Sequence, residues 1–147
     1  LIPLSKKNIL ELYFLRNKII RNKMIFKESN LLSKTEHMKW FQNYNAKKRI
    51  DYLIFEKKAK IFIGAMHFKI KKDELEIGKF ISNPLFLGKN YGFEAANKWI
   101  KFGINELGYK KIIAITSKKN VININLNKKL GFKTTKYNNL WQKMIYK

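Results

Sequence analysis

The 147-residue chain has no cysteine. Disulfide scaffolds, thiolate nucleophiles and zinc–cysteine sites are therefore excluded. It has only two histidines, so no metal site is expected. No stretch rich in proline, glycine or serine divides it into two units. No apolar run approaches the ~20 residues that span a bilayer, and the opening stretch lacks the layout of a signal peptide. Acidic residues are scarce, 10 against 32 Lys and Arg, for a formal charge of +22. Arginine is scarcer still: Arg16, Arg21 and Arg49 leave 32 − 3 = 29 lysines.

What is present suits one packed domain over residues 1–147. Hydrophobic residues make up 46% of the chain, and 3 Trp, 7 Tyr and 11 Phe supply a core. Disordered chains combine high charge with few aromatics, so disorder is not expected. A soluble, cytoplasmic monomer or homodimer is the expectation. The charge invites nucleic acid as a partner. Proteins that grip bases or phosphates bidentately favour Arg, however, and here nearly all the charge is Lys. The chain is also rich in Ile and Asn, which share AT-rich codons with Lys. The basicity therefore reads as a general affinity for anions, with nucleic acid not expected as the main partner.

The period of the apolar residues sets the elements. Leu1 is not Met, and residues 1–4 read as the tail of a first strand. Ile9, Leu10, Tyr13 and Phe14 predict a helix over residues 7–16. Ser33 and Glu36 form a capping-box pattern at the start of a second helix, which puts His37, Trp40 and Phe41 on one face. Residues 50–56, 60–70 and 74–81 alternate like the strands of an antiparallel meander. Residues 92–107 predict a helix with a stripe of Ala96, Trp99, Ile100, Gly103 and Leu107, stopped by Gly108. A strand over 111–117, a helix from Asn120 to Leu130 stopped by Gly131, and a strand over 140–146 complete an α+β order.

Leu87-Gly88-Lys89-Asn90-Tyr91-Gly92 lies between a strand end and a helix start. Glycine allows close backbone approach, and a helix start offers free N–H groups and the positive end of its dipole. The loop is thus either an ordinary turn or a pyrophosphate site. It lacks the Gly-Lys-Ser/Thr of a Walker A loop, and the meander before it is not the βαβ unit of a dinucleotide fold.

Residues 83–95 and 120–132 together resemble the two core motifs of the GCN5-related N-acetyltransferases. That family's coenzyme A loop reads Arg/Gln-x-x-Gly-x-Gly/Ala. Here Gly92 matches its last position, while Leu87 and Asn90 depart from the first and the middle Gly. Pro84, Gly88, Tyr91, Glu94 and Ala95 fit the flanks of a common variant. In the second motif Asn120, Asn123, Leu126-Asn127 and Lys129-Leu130-Gly131-Phe132 align. The resemblance implies a mixed, mostly antiparallel sheet flanked by helices and splayed where acetyl-CoA enters. It implies acetyl transfer to a primary amine. Cofactor contacts would come from Phe80, Ile81 and Ser82 at the splayed strand, from Leu87, Gly88, Lys89, Asn90, Tyr91, Gly92 and Phe93, and from Asn120, Asn123 and Asn127. Many members carry a Tyr acid where Asn127 stands; an amide here can hydrogen-bond the sulfur or a water.

A base can be sought by strand geometry. If Lys72-Asp73 is a two-residue turn, facing residues sum to 145. Ile61, Ile63, Ala65, His67 and Lys69 then share a face with Glu74, Glu76, Gly78 and Phe80. Phe62, Met66, Phe68, Ile70, Leu75, Ile77 and Ile81 form the core face, with Gly64 and Lys79 as exceptions. His67 is diagonal to Glu76, which makes Glu76 or His67 the candidate base. A solvated face is the alternative.

Arg16-Asn17 and Glu36-His37-Met38-Lys39-Trp40-Phe41 are similar to nucleotide-aminosugar N-acetyltransferases of the pseudaminic-acid pathway. This implies a UDP-linked amino sugar as the small-molecule acceptor, bound by Arg16, Asn17, His37, Trp40 and Phe41. Core packing of Trp40 and Phe41 is the structural alternative. Ribosomal-protein or peptide N-terminal acetylation, and a non-enzymatic RNA-associated module, are the other readings. With ten acids, a polyamine acceptor is disfavoured.

Overall fold

The structure is a computed structural model that describes residues 1–21, 30–135 and 138–146. Its elements run β1 (Ile2–Pro3), α1 (Ile9–Arg21), α2 (Lys34–Gln42), β2 (Arg49–Glu56), β3 (Ile61–Ile70) and β4 (Leu75–Ile81). Then follow a short 3-10 turn (Pro84–Phe86), α3 (Tyr91–Asn105), β5 (Ile112–Ser117), α4 (Val121–Lys129), β6 (Phe132–Thr135) and β7 (Trp141–Tyr146). The seven strands form one sheet in the order β1-β2-β3-β4-β5-β7-β6. β4 and β5 pair in parallel; the remaining pairings are antiparallel.

The meander forms as its alternation predicts. Every β3–β4 pair sums to 145, from Gly64↔Ile81 to Ile70↔Leu75. The face assignment holds from Gly64 onward and fails before it. In the β2–β3 ladder Ile54 faces Gly64 while Phe55 faces Phe62. Ile63 is therefore an extra residue, and the bulge reverses the pleat. Ile63 joins the core under α3, whereas Phe62 packs on the α1 side with Phe80. Alternation cannot reveal a one-residue insertion of this kind.

Two helices cover each face. On one, Ile9, Leu12, Leu15 and Ile19 of α1 are buried, and the first two and Leu15 pack with Leu53 and Ala65. The helix runs five residues past the expected end at Arg16, and its buried stripe is not the expected one: Phe14 is 60% exposed. The strongly apolar run 9–15 is compatible with more than one helical phase, and only packing selects between them. The α2 capping box forms with both reciprocal bonds. β6 was not expected; it follows the left-handed stop at Gly131 (φ +99°) and pairs with β7.

On the other face, Ala95, Ala96, Trp99, Ile100 and Gly103 of α3 are buried. Trp99 stacks between Phe68 and Phe102, with centroids 4.7 and 5.0 Å away. Gly103 is needed for this contact. A Cβ there would lie 2.9 Å from Phe68 Cζ and 3.0 Å from Leu75 Cδ1. Gly103→Val should therefore overpack the core and lower stability by about 2–3 kcal/mol in urea unfolding. Wild-type stability in that variant would contradict the packing described.

Candidate active site

The strand-to-helix loop is built from local turn chemistry. Asn83 Oδ1 accepts the Leu85 N–H and starts the 3-10 turn with Pro84 at its first position. Leu87 is extended, Gly88 has φ +72° and Asn90 has φ +62°. Asn tolerates this left-handed conformation better than most residues, which explains why it can stand where a Gly is common. Asn90 caps α3 by position only, since its side chain makes no cap bond. The first-turn N–H groups of this 15-residue helix thus have no cap side chain, beside Lys89. Gly92 lies where three elements meet: a Cβ there would be 3.8 Å from Ile81 Cγ1 of β4 and 3.7 Å from Leu126 Cδ2 of α4. Tyr91 donates to Glu56 Oε1 at 3.4 Å, and the Lys129 ammonium lies 4.8 Å from the Phe93 ring centre.

Beside this loop the sheet opens. β4 and β5 pair only at Leu75↔Ile112 and Glu76↔Ile113 and then part. The Ser82 N–H donates to the Ile63 carbonyl at 2.9 Å, so Ser82 is bonded back to β3. Backbone groups alternate along a strand, and those of Ile81 and Lys79 consequently turn toward the gap. Ile81, rather than Ser82, is the residue of the expected trio 80–82 whose N–H looks into it.

Asn120, the cap of α4, and Asn123 and Asn127 within it do lie on one face, and that face turns inward. Asn120 Oδ1 accepts the Asn123 N–H at 3.0 Å as the helix cap. Asn123 Nδ2 donates to Thr116 Oγ1 of β5. Asn127 is fully buried; its Nδ2 reaches Met144 Sδ at 3.5 Å and its Oδ1 accepts from Lys79 Nζ. Burial lowers the Lys79 ammonium to about 7. Lys79 is visible in the sequence as a charge on the core face of β4, and only its buried contact with Asn127 marks it as part of the site.

The expected base pair is not assembled. By register Glu76 is diagonal to His67, but its carboxylate pairs with Lys71 at 3.0 Å and Lys69 at 3.9 Å. A diagonal position fixes the backbone alone, and the nearer lysines win the carboxylate. His67 instead packs on Gly78: a Cβ at 78 would fall 2.0 Å from the ring. Its pKa is held well below the imidazole range by desolvation, and further by Arg49, Lys69 and Arg16. His67 is thus a neutral proton acceptor in cationic surroundings.

The α1–α2 residues divide between packing and polar roles. Asn17 clamps residue 32, donating to its carbonyl and accepting its N–H at 3.0 Å each. His37 is buried, with Nε2 3.0 Å from the Ile9 carbonyl and its pKa lowered chiefly by desolvation. Trp40 and Phe41 pack against the cluster of Ile9, Leu12, Leu15, Leu53 and Ala65 on the α1 side, and the Arg49 guanidinium sits 5.5 Å from the Trp40 ring centre. Arg49 holds buried Asp51 by two bonds of 2.7 and 2.8 Å, and Tyr44 adds a third at 3.1 Å. Desolvation, followed by the Asp51 charge, raises the Tyr44 hydroxyl. These Arg49, Asp51 and Tyr44 contacts were not anticipated, because they join a loop and a strand that local patterns do not connect.

A mixed sheet parted at one parallel pair, with a left-handed loop and an uncapped helix start beside the gap, defines the class. Its opening lies between two strands, and the helix start beside it offers backbone N–H groups to an anion. Residues 1–133 match the family model described as an acetyltransferase (GNAT) domain. The chain belongs to this acetyltransferase (GNAT) domain family. An uncharacterised protein of Methanocaldococcus jannaschii is 30% identical over a match covering 69% of this chain and 22% of that protein. The chain therefore spans about a fifth of that relative's length. A domain from M. jannaschii has the same fold at 23% identity, with a TM-score of 0.81 and 97% of this chain and 95% of that one covered. A spermidine N-acetyltransferase of Vibrio cholerae, solved with CoA and spermine, gives 17% identity, a TM-score of 0.81 and coverage of 97% and 91%. An acetyltransferase of Bacillus anthracis gives 18%, 0.74, and 99% and 90%.

Two measurements test this geometry. Gly88 has no atom within 4 Å of a notional Cβ but has φ +72°. Gly88→Val should strain only the loop. Its melting temperature should stay near wild type while acetyl-CoA binds about tenfold or more weakly. An unchanged acetyl-CoA thermal shift would remove the loop from the site. Second, His37 and His67 are both held neutral, below the ordinary value of 6.5. The unfolded chain then binds more protons than the folded one as pH falls through 6.5, so stability must fall in that window. His67→Gln should flatten part of the slope between roughly pH 6.5 and 5 in thermal melts.

Proposed function

We propose that this domain acetylates the amine of an anionic, phosphate-bearing small molecule, with a nucleotide-linked amino sugar as the specific class. The observation that carries the reading is the charge around His67. Arg16, Arg49 and Lys69 all act on that ring. Asp51, which faces His67 across the β2–β3 ladder, is bridged by Arg49, and Glu76 is paired with two lysines. A polycation would meet carboxylates that are already paired, within a cluster where Arg16, Arg49, Lys69 and Lys71 outnumber Asp51 and Glu76. An anionic acceptor would be attracted by the same field.

In this reading acetyl-CoA lies with its pyrophosphate at residues 88–92 and its thioester in the gap beside Ile81. The acceptor approaches over the α1 side of β3 and β4. Cationic surroundings lower the pKa of the arriving ammonium, as they do that of His67, and so favour the free amine. His67 takes a hydrogen bond from the amine and passes its proton to water as the N–C bond forms. Glu76 holds Lys69 and Lys71 in place. Positioning of the two reactants supplies much of the rate.

Polyamine acetylation is the competing reading, suggested by the activity of the V. cholerae enzyme of like fold. Turnover with a UDP-linked amino sugar and with spermidine at equal concentration separates the two. The expected kcat/KM is about tenfold or more higher for the nucleotide sugar, and should fall as salt is added. Lys69→Gln should raise KM for the nucleotide sugar and leave the melting temperature close to wild type, since it removes only one long, partly exposed ion pair. A preference for spermidine would overturn the proposal.

A further inference from the structure

We propose that Lys79 receives the coenzyme A sulfur: its ammonium binds the departing thiolate and protonates it, with Asn127 fixing Nζ in place. This rests on the acetyl-transfer reading above. Lys79 is on β4, three residues beyond Glu76, the last residue paired with β5. It is thus in the parted segment, two residues before Ile81, whose N–H turns into the same gap.

The ammonium is held by a neutral acceptor alone. Lys79 Nζ donates to Asn127 Oδ1, and no ion pair joins it to a carboxylate among the described residues. Across the ladder it faces Met66 of β3. From α4 it meets Asn127, which itself touches the Met144 sulfur of β7. No neighbouring charge contributes to its depressed pKa; burial is the cause. An ammonium has three donors, and one is used here. A partly desolvated cation without a counter-ion is a receptor for an anion that arrives during turnover. Its position suits proton donation near neutral pH, where a group with a pKa of about 7 exchanges protons in both directions.

The step balances. The amine nitrogen forms a bond to the acetyl carbon, and the C–S bond breaks with its electron pair on sulfur. The thiolate takes a proton from Lys79 Nζ and leaves as the thiol. The neutral lysine recovers a proton from water, which holds the one released by the acceptor amine. Asn127, which has no titratable proton, acts as the positioning residue.

The test uses free CoA and desulfo-CoA with the whole chain. The thiol of bound CoA is titrated by the ultraviolet absorbance of its thiolate. In wild type its pKa should be lowered by about one unit or more relative to free CoA. Lys79→Met should return it to the free value, bind desulfo-CoA as wild type does, and lower kcat about 10²-fold with little change in the KM for acetyl-CoA. Lys79→Arg keeps the charge but does not release a proton. It should retain the lowered thiol pKa and still lose kcat. An unshifted thiol on wild type, or a Lys79→Met variant with full kcat, would overturn the proposal while leaving acetyl transfer intact. Failure of wild type to bind either CoA or desulfo-CoA would instead overturn the acetyl-transfer reading and this inference with it.

Discussion

The parting of β4 from β5 is the constraint on which the rest of the molecule depends. The two strands are joined at one end. Leu75 donates to the Lys111 carbonyl at 2.9 Å, and Glu74 reaches Lys111 at 2.8 Å and Lys143 of β7 at 3.3 Å. Those lysines are partly exposed, so each contact is worth at most about 1 kcal/mol, but together they pin three strands at one point. Beyond Glu76 the strands separate, and α3 and α4 cover one face of the opening. Gly92, Ile81 and Leu126 meet at its mouth. An opening of this shape places main-chain donors, a helix start and the Lys79 ammonium along one path. Filling it with a paired strand would satisfy the backbone and abolish the site.

The elements of the fold were largely legible because their signals are local. The two-residue turn at Lys72-Asp73 fixed the β3–β4 register, and that register places His67 opposite Gly78. The capping box at Ser33 and Glu36 and the apolar stripe of α3 are likewise short-range patterns. The misreadings share one cause, which is that tertiary packing chose between locally equivalent options. The bulge at Ile63 inverted Phe62, the phase of α1 moved the buried stripe off Phe14, and β6 exists because β7 is there to pair with it.

The site was legible in its backbone and less so in its side chains. The loop at residues 87–92 announces itself by Gly88, Asn90 and Gly92 before a helix. Side-chain partners are set across the sheet. Glu76 turned to Lys71 rather than His67, the amides of Asn123 and Asn127 turned inward, and Asn17 became a clamp for residue 32. The +22 charge also gains a narrower meaning. Most of the lysines are exposed, whereas Arg16, Arg49 and Lys69 converge on one imidazole. Lys79 stands apart from both groups, in the parted segment and without an acid partner among the described residues.

Amide hydrogen exchange with and without CoA tests most directly whether the parted strands receive the ligand. Protection is predicted at residues 77–82 of β4 and at residues 91–93 of α3, with β1 and β2 unchanged. Protection confined to other elements, or absent at saturating CoA, would contradict the account.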